Sequence, residues 1–115
     1  MPFLAAGPQV NATLGGGELN VSLELLAVLR ETRALLARPD NDFAWSSWRD
    51  GRAALSEMDG HIAKLEQEQM PSLSEIAILF APTGPIQEVS LSSGWGREFL
   101  AVSAKFDSVT EAAYP

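Results

Sequence analysis

The sequence predicts an α+β fold in two layers, in which an antiparallel sheet of two to four strands is covered on one face by three helices, in the order ββααββα. Apolar residues alternate along 75–92 on both sides of a Pro-Thr-Gly-Pro turn, which is typical of a β-hairpin. The segments 22–38, 43–69 and 95–113 instead repeat apolar residues every three or four positions, which predicts helices. Helices on one side of an antiparallel sheet would bury both kinds of apolar face.

A second hairpin is predicted near the N-terminus. Residues 10–14 and 19–23 alternate between apolar and polar side chains around the glycines 15–17, which favours two strands and a glycine turn. Alternatively, the second run belongs to the helix that follows and the glycines form a linker. Residues 1–17 are accordingly expected to be either a loose arm or part of the first hairpin of a single domain, 1–115.

The first predicted helix has one apolar face. Ser22 is its expected N-cap, because a hydroxyl there accepts a hydrogen bond from the first helical turn. Pro39 ends it. The face consists of residues at intervals of three and four, namely Leu25, Val28, Leu29, Thr32, Leu35 and Leu36.

The second predicted helix is longer, from Phe43 to Gln69, and Asn41 or Asp42 is expected to cap it. Gly51 lies within its apolar stripe and leaves a notch where another element can approach. Pro71 ends this helix. Because the connection to the first helix is short, the two should form an antiparallel pair.

The predicted C-terminal hairpin has a definite register when Ala81 pairs with Ile86. One face is then apolar, and it carries Ile76, Ile78, Phe80, Val89 and Leu91. A two-stranded hairpin alone is marginal in water, so its edge is expected to pair with the N-terminal hairpin or with a second copy of the chain. The second option predicts a homodimer through a sheet edge.

Composition excludes several classes of function. The chain has 115 residues and a net charge of -7, which opposes binding to nucleic acids or anionic membranes. It has no cysteine and one histidine, so thiolate catalysis and a zinc site built from several Cys or His ligands are excluded. No cofactor and no metal are predicted. The segment 1–7 lacks the basic region and apolar run of a secretory signal, which favours a cytoplasmic location.

One loop has the composition of an anion site. Free N–H groups at the beginning of the last helix would attract a phosphate or carboxylate, together with two hydroxyls, two glycines and an arginine. Alternatively, Ser93 only caps the helix while Trp95 fills the core. The predicted ligand-binding residues are Ser92, Ser93, Gly94, Gly96 and Arg97.

A second cluster is a candidate contact with a protein partner. Trp48 belongs to an apolar stripe and is expected in the core, whereas Phe43 and Trp45 cannot both share that stripe. Exposed tryptophan and arginine side chains are common anchors of protein interfaces. Phe43, Trp45 and Arg49 are therefore the predicted partner-binding residues.

The remaining ionisable residues favour a surface role. His61 is expected to be solvated and loosely paired with Glu57, four residues before it. The arginines of the first two helices are expected to pair with nearby acids on the surface. These acids are Glu31, Asp40, Asp42 and Asp50.

The sequence thus favours a small, acidic, non-enzymatic protein-interaction domain with no catalytic residue. One form of this role is an inhibitor or immunity-type protein that binds a basic partner, since opposite charge speeds encounter. One alternative is a small anionic-ligand-binding domain or enzyme that uses Ser92–Arg97. Another is a structural homodimer.

Overall fold

The computed structural model describes residues 16–113, with side chains from residue 20 onward. Within this range the chain forms five α-helices and no strand, so the predicted α+β fold is wrong there. The predicted homodimer needs an exposed strand at a sheet edge, and residues 16–113 contain no strand that could supply one. The helices are α1 (Gly16–Leu36), α2 (Gly51–Glu66), α3 (Leu73–Phe80), α4 (Pro85–Ser93) and α5 (Gly96–Ala113).

Helix α1 has the predicted apolar face. Leu25, Leu29 and Leu36 are almost fully buried. Thr32 is buried as well, and its hydroxyl donates to the carbonyl oxygen of Val28 at 2.8 Å. This bond satisfies a hydroxyl that would otherwise be costly in an apolar interior.

The beginning of α1 differs from the prediction. Ser22, the expected N-cap, lies inside the helix and is buried. The predicted strand 19–23 is helical as well. Val21 lies four residues before Leu25 and extends the apolar face of α1. Residues 10–14, the other predicted strand, lie outside the described residues. The helix ends at Leu36, before Pro39, as predicted.

Helix α2 is shorter than predicted, because residues 37–50 form a non-helical connection. Its N-cap is Asp50, whose carboxylate accepts a hydrogen bond from the backbone N–H of Ala53 at 2.9 Å. The predicted caps, Asn41 and Asp42, lie at the start of the connection instead. Trp48 is buried as predicted, and its Nε1 donates to Glu57 at 2.9 Å.

Two short helices, α3 and α4, replace the predicted C-terminal hairpin. In α3 the buried residues are Ile76, Leu79 and Phe80, which are spaced as one face of a helix. Ile78, which alternation assigned to the same face as Ile76, is 65% exposed. A short run of nearly continuous apolar residues fits both periods, so its periodicity cannot distinguish a strand from a helix.

Local signals in the sequence do favour the two short helices. Ser72 caps α3, since its hydroxyl accepts from the backbone N–H of Glu75 at 3.3 Å, and a serine followed three residues later by glutamate is the capping-box pattern. Pro85 occupies the first turn of α4, and Gly94 ends that helix with a left-handed φ of 83°. Proline at the start and glycine after the end are typical of helices.

The turn between α3 and α4 is tight. A Cβ atom on Gly84 would lie 2.6 Å from the carbonyl oxygen of Ile78 and 2.9 Å from that of Ala81. Only glycine therefore fits without moving the backbone. The preceding Thr83 has a positive φ of 65°, which is unusual for a β-branched residue.

Helix α5 confirms the predicted apolar stripe. Trp95, just before it, and Phe99, Val102, Phe106 and Val109 are buried. The ring of Phe106 stacks on Phe80 of α3, with ring centroids 4.5 Å apart and planes 8° apart. This aromatic contact joins α3 to α5.

Helix α1 packs against both α2 and α5, and α5 also packs against α4 and α3. The pair α1–α2 is antiparallel as predicted, because Arg33 pairs with Asp59 whereas the earlier Arg30 pairs with the later Glu66. The buried apolar residues form one cluster to which all five helices contribute. None of the helices in the described part combines the length and apolar character needed to cross a bilayer.

Candidate functional site

The predicted anion-binding residues lie at the corner between α4 and α5. Ser92 and Ser93 are the last residues of α4, and Gly94 is its left-handed C-cap. Gly96 and Arg97 begin α5. The predicted loop from strand to helix over 92–97 is therefore shorter than expected, because only Gly94 and Trp95 lie between the two helices, and a helix precedes them rather than a strand. No contact identifies a ligand, so anion binding at this corner stays a prediction.

Part of this corner has a clear structural role. The Ser93 hydroxyl accepts a hydrogen bond from the backbone N–H of Asp42 at 2.9 Å, so it holds the 37–50 connection rather than capping α5. The buried Trp95 donates from Nε1 to Asn41 Oδ1 at 2.8 Å. The amide nitrogen of Asn41 in turn donates to the carbonyl of Leu35 at 2.9 Å. These bonds fasten the connection to the core.

The connection 37–50, here called the tryptophan loop, is also ordered by its own side chains. The carboxylate of Asp42 accepts from the N–H of Ala44 at 2.9 Å. Ser46 donates from its hydroxyl to the carbonyl of Phe43 at 3.0 Å and accepts from the N–H of Trp48 at 3.2 Å. Bonds of this type fix the backbone of a loop locally.

The three predicted partner-binding residues occupy different environments in this loop. Trp45 is 74% exposed. Arg49 has 87% of its side chain exposed and lies 3.9 Å from the Asp50 carboxylate. Phe43 is half-buried and faces the notch at Gly51, where an added Cβ would lie 3.3 Å from its ring. Phe43 therefore supports the loop, while Trp45 and Arg49 are presented to solvent.

His61 differs from the predicted surface histidine, because only 8% of it is exposed. Glu57, its expected partner, accepts a hydrogen bond from Trp48 instead. Helix α2 directs His61 to the same side as Met58, Ile62 and Leu65, which are buried. Among the residues whose side chains are described, no group of three or more His, Asp or Glu residues is arranged to hold a metal ion.

Most of the described ion pairs of arginine join residues that are distant in the sequence rather than neighbours. Arg30 pairs with Glu66 and Arg38 with Glu98, rather than with the nearby acids that the sequence suggested. Among the arginine pairs of the described residues, the pair of Arg49 with Asp50 is the one that involves an expected acid. These pairs are exposed, so each contributes little stability.

One ion pair shifts the pKa of both partners. The Arg33 guanidinium donates to both carboxylate oxygens of Asp59. These hydrogen bonds, with the attraction of opposite charges, lower the pKa of Asp59 and raise that of Arg33. Because both groups are at the surface, the pair joins α1 to α2 without marking a reactive site.

A groove between α3 and α5 is absent from the sequence-based predictions. It has a volume of about 610 Å³, and Leu100, which is 65% exposed, lies in its lining. Leu100 directly follows Phe99 and falls outside the buried stripe of α5. A large apolar residue off the stripe of an otherwise regular amphipathic helix is the sequence signal for such a surface.

No known protein family, curated protein or solved structure matches the chain. The function of the chain is therefore inferred from its own surfaces. Two of them expose apolar side chains on ordered elements, namely the tryptophan loop at 37–50 and the groove between α3 and α5.

Proposed function

We propose that this chain is a non-enzymatic protein-interaction domain and that the tryptophan loop is its contact surface. Trp45 is the anchor of this surface and inserts into a pocket of the partner. Arg49 lies on the rim and pairs with an acidic or carbonyl group. Phe43 holds the loop on α2 and does not enter the interface.

The observation that carries this proposal is the exposure of Trp45. The chain has three tryptophans, of which Trp48 and Trp95 are buried and Trp45 is 74% exposed. An indole is a large apolar surface that gains free energy when removed from water. Tryptophan is also among the residues that contribute most to binding at protein interfaces.

The order of the loop strengthens this inference. The backbone on both sides of Trp45 is held by the hydrogen bonds of Asp42 and Ser46 and by the buried ring of Trp48. An anchor on a preordered loop loses less conformational entropy when it binds. The same exposed side chain on an unconstrained segment would bind more weakly.

The charge of the chain favours a basic partner. With a net charge of -7, the chain attracts proteins of opposite charge and speeds their encounter. An inhibitor of a basic toxin or enzyme is one form of this function. If the chain acts in this way, the rate of association with the basic partner falls as salt is added. The rate of dissociation then depends on the contacts made by Trp45.

The test begins with a photoreactive amino acid in place of Trp45, used in extracts of the native source. We expect one crosslinked protein that is absent when the same photoreactive residue replaces Ser47, which is exposed in the same loop. The partner is then purified, and its affinity for defined variants is measured by calorimetry.

Trp45→Ala should weaken the partner's binding by about thirtyfold, corresponding to a hot-spot loss of about 2 kcal/mol. Arg49→Ala should have a smaller effect, and Ser47→Ala should have none. If Trp45→Ala and Arg49→Ala bind the captured partner as tightly as the unmodified chain, the tryptophan loop is not the contact surface.

A further inference from the structure

The groove between α3 and α5 is largely apolar. Its walls include Leu73, Ala77 and Phe80 from α3, and Leu100, Ser103 and Phe106 from α5. None of its lining residues belongs to the tryptophan loop. From Leu100 to Thr110, which also lines it, α5 extends for about 15 Å at the helical rise of ~1.5 Å per residue. This length accommodates two to three turns of another helix.

Two exposed aliphatic side chains outside the lining lie one helical turn after residues that line the groove. Ile78 is 65% exposed and lies one helical turn after Ser74, a lining residue. Leu91 is 68% exposed and lies one turn after Gln87, another lining residue. Side chains four residues apart are neighbours on a helix, so Ile78 and Leu91 each adjoin a lining residue without belonging to the lining themselves.

The contact between α4 and α5 brings Leu91 toward Leu100. The Leu91 side chain lies 3.6 Å from the position that a Cβ of Gly96 would occupy. Gly96 and Leu100 are one turn apart on α5 and therefore share a face. Ile78, Leu91 and Leu100 are the three most exposed leucine or isoleucine side chains within residues 20–113. Leu100 lines the groove, and Ile78 and Leu91 follow lining residues by one turn, which favours a binding surface over scattered exposure.

The groove carries negative charge near the C-terminal end of α5. Asp107 is the charged residue of the lining, and Glu111 follows it one turn later on the same side of α5. The sequence contains no lysine or arginine from residue 65 to residue 96. Lys105, on α5, is paired with Glu31 of α1. Arg97 lies at the opposite end, three residues before Leu100.

We propose that this groove is the docking site for a cationic amphipathic helix of a partner protein. Leucine-like side chains at spacings of three and four fill the space between α3 and α5 and cover Leu100. Lysine or arginine at one end of the helix pairs with Asp107 and Glu111. A helix is the fitting occupant because the groove lies between two helices, and an apolar stripe laid into such a groove is a common mode of recognition.

The proposal is tested with a defined probe and the full chain. The probe is a fluorescein-labelled synthetic helix of about four turns that carries leucines at i, i+3, i+4 and i+7 and lysines on its polar face. A matched peptide keeps the leucines and replaces the lysines by glutamates. We expect saturable binding of the lysine peptide in fluorescence anisotropy, and binding of the glutamate peptide that is at least about tenfold weaker.

Variants of the chain locate the binding. Leu100→Ser should weaken the lysine peptide by about tenfold or more, because a buried apolar contact is lost. Asp107→Asn combined with Glu111→Gln should weaken it and reduce its salt dependence. Leu23→Ser is the matched control, since Leu23 is an exposed leucine of α1 and should leave binding unchanged. Amide chemical shifts should change along α3 and α5 in the unmodified chain.

Several outcomes would overturn the proposal. These are the absence of saturable binding, equal affinity for the two peptides, and equal weakening by Leu100→Ser and Leu23→Ser. A dimer in sedimentation that Leu100→Ser dissociates would assign the groove to a second copy of the chain instead. Binding to anionic vesicles that Leu100→Ser abolishes would assign it to a membrane. Trp45→Ala should leave peptide binding intact, so the two proposed surfaces can fail separately.

Discussion

The long helices α1 and α5 and the short helices α3 and α4 are built from similar apolar residues, yet they expose them very differently. In α1 and α5 most apolar residues follow a single stripe over several turns and are buried. The short helices have about two turns each, and α3 carries a nearly continuous apolar run whereas apolar and polar residues are mixed in α4. Ile78 of α3 and Leu91 of α4 remain in solvent.

This difference shows how one property of the sequence has two consequences. A continuous apolar run does not distinguish a strand from a helix, which made the segment 75–92 resemble a hairpin. Once the segment is helical, only one face of each helix can reach the core. Surplus apolar side chains such as Ile78 are then left in solvent, one helical turn from residues that line the groove where we propose that a partner helix binds.

The largest expected effect distinguishes the two structures of the 75–92 segment directly. Leu79 is buried in the helical structure and Ile78 is exposed. Leu79→Ala should therefore lower the free energy of unfolding by about 3 kcal/mol, while Ile78→Ala should change it by less than about 0.5 kcal/mol. Urea unfolding followed by circular dichroism measures both. In a hairpin with the predicted register the order would be reversed.

The second prediction concerns the tight turn between α3 and α4. Gly84→Ala should lower the free energy of unfolding by about 2 kcal/mol, because the new methyl group meets backbone carbonyl oxygens that cannot move freely. Gly60→Ala is the control in a long helix. Gly60 has nothing within 4 Å of its Cβ position, so alanine there should raise the free energy of unfolding by about 1 kcal/mol. Equal stabilisation by both changes would contradict the close approach at Gly84.

A smaller effect tests the capping of α3. Ser72→Ala removes the acceptor for the N–H of Glu75 and should lower the free energy of unfolding by about 1 kcal/mol. Ser92→Ala, in the exposed last turn of α4, should change it by less than about 0.5 kcal/mol. Thermal unfolding of the two variants compares them. An equal effect of both serines would show that Ser72 does not determine where α3 begins.

The smallest expected effect is the pH dependence of the pair between α1 and α2. The pKa of Asp59 in the folded chain lies below its ordinary value of 3.8. Its contribution to stability is therefore present above that value and is lost as the pH falls through the folded pKa. The difference in Tm between the unmodified chain and Asp59→Asn should be small at pH 7 and should disappear in strong acid.

Asp40→Asn is the control for this measurement, since Asp40 is an exposed acid in the connection after α1. It should show a smaller difference at neutral pH, because none of the ion pairs of the described residues involves Asp40. A difference for Asp59→Asn that grows as the pH falls below about 4 would contradict the sign of the shift.

Parts of the candidate site could be predicted from the sequence. The core role of Trp95 follows from its spacing to Phe99. The sequence also predicted that Phe43 and Trp45 cannot both share the stripe of Trp48, but not which of them is exposed, because these residues lie in a non-helical connection rather than in the predicted helix. The buried position of His61 could not be predicted in this way, because it lies at the edge of the stripe of α2. How far such an edge is covered depends on how α2 sits against its neighbours.

The sequence by itself determined the long helices α1 and α5, the end of α1 before Pro39 and the antiparallel pairing of α1 with α2. These features depend on local spacing, caps and short connections, which act within a few residues. Local caps at Ser72 and Gly94 favour helices within 73–93. Only the tertiary structure decided which of their faces is buried, that Phe80 stacks on Phe106, and that Leu100 lines a groove with residues of α3. Such features arise from contacts between residues distant in the chain, and a short apolar run has no periodicity of its own that specifies them.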